Sequence, residues 1–228
     1  MPEIVIIIPA LNEERAIGKV LAHIPGNIAS EVVVVDNNSS DATADVARNF
    51  GATVVHESRK GYGFACLKGI EYIMSRAKKP DVVVFLDADY SDRPEEINNL
   101  IQPIIKQDYD MVIGSRLLGK RQKGAMPWHQ VLGNRLATIL TNALYGVHYT
   151  DLGPFRAIKL DKLLKLDMKE HRYGWTAEMQ AKAAKQRLRC FEVPVTYRAR
   201  IGTSKISGTV KGTLCAGYSI VATLLKNR

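Results

Sequence analysis

The segment Val82-Val83-Val84-Phe85-Leu86-Asp87-Ala88-Asp89-Tyr90-Ser91-Asp92 decides the reading of this chain. Its apolar run describes a buried strand, and that strand delivers carboxylates to its own C-terminal edge. Residues two apart on an extended backbone point the same way, so Asp87 and Asp89 are expected to converge. Two carboxylates held together repel unless a cation or hydrogen-bond donors compensate, which points to a site for Mg²⁺ or Mn²⁺ carrying phosphates. An acidic turn ahead of a helix is the competing explanation. Asp92 is assigned to that turn, as the cap of a helix starting near Pro94, with Glu95 and Glu96 favouring the helix dipole.

Outward from this segment, short β-branched runs alternate with helical patterns, the signature of βαβ units and a mostly parallel central sheet with flanking helices. Strands are expected at residues 4–8, 32–35, 53–56, 82–86 and 111–113, with helices beginning near Glu13, Asp41, Gly63 and Pro94. Right-handed crossovers bring the loops after the strands to one edge of the sheet, where α/β folds bind ligands. Those loops hold Pro9-Ala10-Leu11-Asn12-Glu13, Asp36-Asn37-Asn38-Ser39 and Arg59-Lys60-Gly61-Tyr62-Gly63.

After Arg116 the texture changes. Residues 117–127 read as a Gly- and Lys-rich loop, residues 128–144 as a helix, and residues 190–195 as a further β-capable stretch. Residues 197–212 carry little apolar content and read as a mobile lid. The tail at residues 214–225 is apolar on much of its circumference, suited to docking on the core or lying on a membrane. The expected organisation is one catalytic domain, with a ligand-binding half at 1–116 and a second half at 117–228.

At 228 residues the chain can bury one substantial core. The net charge of +9 hides a division: residues 1–110 hold 11 Lys+Arg against 17 Asp+Glu, and residues 111–228 hold 21 against 6. That excess points to an anionic partner, either a phosphorylated substrate or an acidic membrane surface. Nucleic acid is not expected, because no zinc finger, basic zipper or RNA-recognition signature is present. Cys66, Cys190 and Cys215 are odd in number and widely spaced, as reduced thiols would be. No apolar stretch reaches the roughly 18 residues of a membrane span, and a cytoplasmic location is expected, at the inner membrane face if a lipid is involved.

Taken together, these positions resemble the family 2 glycosyltransferases, which have the Rossmann-like A-type nucleotide-sugar fold. Residues 9–13 are similar to their opening nucleotide loop, residues 35–43 to their second-strand motif, and Asp87-Ala88-Asp89 to their D-x-D element. Gly114-Ser115-Arg116, residues 151–157 and Gly202-Thr203-Ser204-Lys205 continue the likeness toward dolichyl- and polyprenyl-phosphate mannose or glucose synthases. The resemblance implies a nucleoside-diphosphate sugar donor, with Asp89 as first metal ligand and Asp87 as second. It also implies that Asp36 hydrogen-bonds the base or ribose, that Pro9, Leu11 and Glu13 line the nucleoside pocket, and that Lys60 and Ala88 lie nearby. Arg200, Ser204 and Lys205 would then close over the diphosphate.

In that branch the acceptor is a polyprenyl phosphate, and Arg116 is implied as its phosphate clamp, a structural ion pair being the alternative. Gln130 stands where those enzymes carry a second arginine; Arg121, Lys123 or Arg135 are the candidates to replace it. Glu178 falls where relatives acting on hydroxyl acceptors place a general base; with a phosphate acceptor it would orient the sugar or hold the lid. The expected function is inverting transfer of a hexose from a UDP- or GDP-sugar to a polyprenyl phosphate. A glycosyltransferase with a hydroxyl or phosphorylated small-molecule acceptor, a sugar-1-phosphate nucleotidylyltransferase, and a non-catalytic nucleotide-sugar or membrane-binding module are the other readings.

Overall fold

The computed structural model describes residues 2–202 and 210–228, without the side chains of 210–214. Its centre is β1 (Ile4–Ala10), which is buried at every position because it has neighbours on both edges and helices on both faces. Alternate residues of β1 feed two cores. Ile4, Ile6 and Ile8 pack on one side with Val34 and Val84, and Val5 and Ile7 pack on the other with Val33, Val83 and Phe85. Each fully buried isoleucine contributes about 1.5–3 kcal/mol to this two-sided packing.

The sheet has seven strands. With β2 (Glu31–Asp36), β3 (Thr53–His56), β4 (Val82–Phe85), β5 (Met111–Ser115), β6 (Arg156–Lys159) and β7 (Cys190–Pro194), the spatial order is β3-β2-β1-β4-β6-β5-β7. All pairings are parallel except those of β6, which runs antiparallel to both β4 and β5. The expected strands are all present, and β6 is an addition. It lies between β4 and β5, so the sheet draws on both halves of the chain.

Helices α1 (Ile17–Ala22), α2 (Thr43–Asn49) and α3 (Tyr62–Ser75) cover the first strands. After a short turn at Pro94–Glu96, α4 (Ile97–Gln107) buries Ile97, Leu100, Ile101 and Ile104, the i, i+3, i+4, i+7 stripe of a helix lying on a sheet. The second half adds α5 (Trp128–Tyr145), α6 (Leu160–Leu166), α7 (Trp175–Lys185) and α8 (Val210–Lys226). Helices α5, α7 and α8 join around Ala137, Ala177, Ala181 and Leu224, so the tail docks on the core as one of its two expected roles required. Among the described residues, no helix is long and apolar enough to cross a membrane.

The expected lid divides differently. Residues 197–201 are fastened to the turn after β4: Arg198 donates from its backbone to the Ser91 carbonyl and from Nε to that of Tyr90, and Ile201 N donates to the Asp89 carbonyl. Residues 210–212 belong to α8. Ser204 and Lys205 lie outside the described residues.

Candidate active site

A cavity of about 390 Å³ opens at the C-terminal ends of β1 and β4. Pro9, Leu11 and Glu13 enter it where β1 ends, and Lys60 enters from the turn before α3. Asp87, Ala88 and Asp89 follow β4, and Arg200 arrives from the fastened segment. Eight residues separated by almost the whole sequence thus share one cavity, of the size usual for a small-molecule site.

Two walls of this cavity were not legible in the sequence. Asn37, not Asp36, faces it: the Asn37 side chain accepts from Gly61 N at 2.8 Å and donates to the Arg59 carbonyl at 2.7 Å, fixing the turn that carries Lys60. Asp36 is buried, with its carboxylate turned to Ser39 N and the His56 ring, and is not part of the wall. The other wall is Arg172 and Tyr173. Their loop lies against the start of α3, where Phe64 N donates to the His171 carbonyl and a Cβ on Gly63 would collide with the Glu170 carbonyl oxygen.

Charge in the cavity is arranged around Asp87, Asp89 and Arg200. Asp89 accepts Ser91 N on one oxygen and faces Arg200 Nη1 at 3.2 Å with the other, while Arg200 Nη2 pairs with Glu13 at 2.6 Å. Asp87 is different. Its Oδ1 is buried without a well-formed hydrogen bond among the described residues, and burial together with the neighbouring Asp89 pushes its pKa up to about 7 against the opposing pull of Tyr62. A carboxylate held in this way fits a divalent cation, which would relieve the repulsion between the two. Among the described residues no third His, Cys, Asp or Glu joins them, so a cation bound by Asp87 and Asp89 would keep open positions for phosphate oxygens.

Asp92 does not cap a helix. Arg93 precedes the turn at Pro94 and makes no side-chain cap, while Asp92 is 1% exposed with both carboxylate oxygens unpartnered among the described residues. Its backbone bridges to Tyr197, which turns the side chain inward; burial and the nearby Asp87 raise its pKa well above the usual carboxylate range. Arg116 lies in the same interior. It donates from N and Nε to one oxygen of Asp151 and from Nη2, at 2.6 Å, to the other. Burial opposes its charge, but Asp151 more than compensates and keeps the guanidinium protonated. The ion-pair alternative for Arg116 is therefore realised, and Arg116 also borders the second cavity described below.

Glu178 is not placed for proton transfer. Its carboxylate accepts Lys169 N and Glu170 N and pairs with Lys182 Nζ at 2.8 Å, and it borders neither this cavity nor the next. It holds the loop that presents Arg172 and Tyr173.

A second cavity of about 530 Å³ lies between α5 and α8 and meets the first at Tyr62, Asp87 and Tyr173. Its far end is apolar, with Leu136, Leu140, Ile220 and Val221, and its near end carries Arg116, Asn134 and Trp175. Gln130 and His129 line it too, whereas Arg121, Lys123 and Arg135 do not. From the cavity rim, Leu136 continues with Trp128, Leu132 and Ile139 as an exposed stripe on α5 at i, i+4, i+8, i+11, and Val221 continues with Tyr218 and Leu225 as one on α8.

Known proteins resemble this chain in sequence and in fold. The model of the family described as glycosyl transferase family 2 matches residues 5–166. The dolichyl-phosphate hexose transferase of Haloferax volcanii is 34% identical over 234 residues, covering 99% of this chain and 96% of that protein. The undecaprenyl-phosphate mannosyltransferase of Micrococcus luteus is 30% identical, covering 90% and 88%. Glucosyl-3-phosphoglycerate synthase of Mycobacterium tuberculosis, crystallised with Mn²⁺, UDP and phosphoglyceric acid, shares the fold with a TM-score of 0.78 at 22% identity, covering 99% of this chain and 78% of that one.

Proposed function

The chain belongs to glycosyltransferase family 2, and from that premise we propose that it moves a hexose from a UDP- or GDP-sugar to a polyprenyl phosphate at the cytoplasmic membrane face, with inversion. The observation that carries this reading is the joining of the two cavities at Asp87, one edged by the charged side chains of Glu13, Lys60, Asp89 and Arg200, the other running between α5 and α8 past Leu136, Leu140, Ile220 and Val221.

The nucleoside diphosphate occupies the first cavity, with the nucleoside along Pro9, Leu11 and Glu13 and the diphosphate toward Asp89 and Arg200. Mg²⁺ or Mn²⁺ held by Asp89 and Asp87 would neutralise charge growing on the departing diphosphate. The acceptor enters along the groove and presents its phosphate beside Arg116. A phosphate oxygen forms the new bond to the anomeric carbon as the bond to the diphosphate breaks, and the electron pair leaves with the nucleotide. The attacking oxygen is already ionised, so no general base is needed, in keeping with a Glu178 fully engaged by backbone N–H groups and Lys182. The exposed stripes of α5 and α8 flank the groove as a membrane-resting face would, with the exposed Arg135 and Lys226 available to anionic headgroups.

A phosphorylated small-molecule acceptor is the second reading. It is favoured by Gln130 in place of a second arginine beside the groove, and by the phosphoglyceric acid bound to the structurally similar synthase. A turnover screen of UDP- and GDP-sugars against polyprenyl phosphates and small phosphorylated acceptors separates the two. Sugar appearing only on the lipid supports the first; sugar appearing only on a water-soluble acceptor supports the second.

A further inference from the structure

We infer that Tyr62 Oη, Trp175 Nε1 and Asn134 Nδ2, with Asp87 Oδ1, form the subsite that grips the hydroxyls of the transferred hexose. The inference rests on the proposed donor class and assigns residues that no motif suggests. All four atoms are buried; Trp175 Nε1 and Asn134 Nδ2 have no hydrogen-bond partner among the described residues, and Tyr62 Oη and Asp87 Oδ1 lie near each other without a bond of ordinary geometry. All four side chains border the second cavity, and Tyr62 and Asp87 border both, at the junction where a sugar joined to the diphosphate must lie. Buried polar atoms are ordinarily satisfied, and a cluster of uncommitted ones on a cavity wall marks where a ligand's own polar groups belong.

The chemistry of the set selects the ligand. Tyr62, Trp175 and Asn134 offer donors, whereas the Asp87 carboxyl oxygen offers an acceptor. A sugar hydroxyl both donates and accepts, so it can bridge Tyr62 Oη to Asp87 Oδ1. A phosphate only accepts, and the Asp87 carboxylate would repel it. A prenyl chain would leave every member unsatisfied. Two of the groups are also fixed in direction. Asn134 Oδ1 accepts Leu152 N at 3.0 Å, which orients the amide and leaves Nδ2 as the free donor. Trp175 is 1% exposed and packs edge-on against Phe85, with ring centres 6.1 Å apart. Both are therefore preorganised.

The test compares binding of UDP-glucose and GDP-mannose with binding of UDP and GDP, in Mn²⁺, by calorimetry. Tyr62→Phe removes one oxygen, and Asn134→Asp keeps the acceptor for Leu152 N while removing the donor; Trp175→Phe is the third variant, each checked for an unchanged melting transition. Each variant is expected to bind the preferred sugar nucleotide about fivefold to tenfold more weakly, with affinity for the bare diphosphate unchanged. Equal loss for both ligands, or loss for neither, in folded Tyr62→Phe and Asn134→Asp overturns the subsite and leaves the donor assignment standing. Wild-type protein that binds none of the four nucleotides overturns both.

Discussion

The two cavities that meet at Asp87 are built by different parts of the fold, and they differ in how far local sequence encodes them. The first is made at the ends of adjacent parallel strands. Its residues come from positions just after β1 and β4, where a strand pattern in sequence already places side chains at one edge. The second is made by the faces of α5 and α8 and by Trp175 at the start of α7. No local pattern announces such a site, because helix faces become walls only after tertiary packing. If, as proposed, the strand-end site holds the donor and the helical groove the acceptor, the two should respond separately to mutation.

The largest separation is expected from Asp89→Asn. Loss of a metal-ligating carboxylate should reduce metal-dependent UDP or GDP release by about 10²–10³-fold, on the scale of losing one transition-state electrostatic group. Vesicle binding and folding should be unchanged. Release at the wild-type rate would remove Asp89 from the chemistry and break the assignment of the first cavity.

Obstructing the groove should do the reverse. Gly133 lines the second cavity, and a Cβ there meets nothing within 4 Å, so Gly133→Trp can be accommodated while its indole fills the groove. Turnover with a long polyprenyl phosphate should fall about tenfold or more, consistent with exclusion of several methylene groups at about 0.8 kcal/mol each. Nucleoside-diphosphate affinity should not move. A parallel loss of donor binding would mean the cavities are not separable.

Glu178 gives a middle-sized effect of a different kind. Glu178→Gln replaces one acceptor oxygen with a donor facing backbone N–H groups, and should lower stability by about 1–3 kcal/mol in denaturant unfolding. At a temperature where the variant is folded, kcat should change by less than about tenfold. A drop of about 10²-fold or more with stability intact would restore the general-base role and a hydroxyl acceptor.

A separate effect is a pH signature at the junction. Asp87 loses its proton near the ordinary 3.8 when unfolded but near 7 in the folded, metal-free protein, so the folded state holds more protons across that window and loses stability as pH rises through it. Asp87→Asn removes this contribution. Its melting temperature relative to wild type should rise between about pH 4 and 7 and level off above, and stabilisation of wild type by Mn²⁺ should grow over the same range. A pH-independent difference would contradict the burial of Asp87.

This contrast also explains what could be read in advance. The β1 and β4 runs are apolar throughout because both faces of the sheet are covered, and that property is visible residue by residue. β6 carries no strand signal because Arg156-Ala-Ile-Lys159 is short and ends in charges; its Arg156 is buried by bonding to the Gly153 and Thr176 carbonyls, a contact set that no local pattern encodes. Asp92 has the residue type and spacing of a cap, yet its bridge to Tyr197 turns it inward. Asp36 and Asn37 differ by one position at the end of β2, and the alternation of a strand decides which faces the cavity only once its exact end is known. Glu178 sits at the expected place in the sequence, but the loop at Lys169 and Glu170 folds back over it.

The central claim is that the charged cavity at the strand ends and the groove between α5 and α8 act on one transfer. It is tested most directly by incubating the protein with Mn²⁺, radiolabelled UDP- or GDP-hexose and a short-chain polyprenyl phosphate, then measuring label in the organic phase and the anomeric configuration of the product. The account predicts a lipid-linked hexose of inverted configuration, formed in proportion to released nucleotide. Label passing only to a water-soluble acceptor, with nucleotide released at the same rate whether or not the lipid is present, would contradict it.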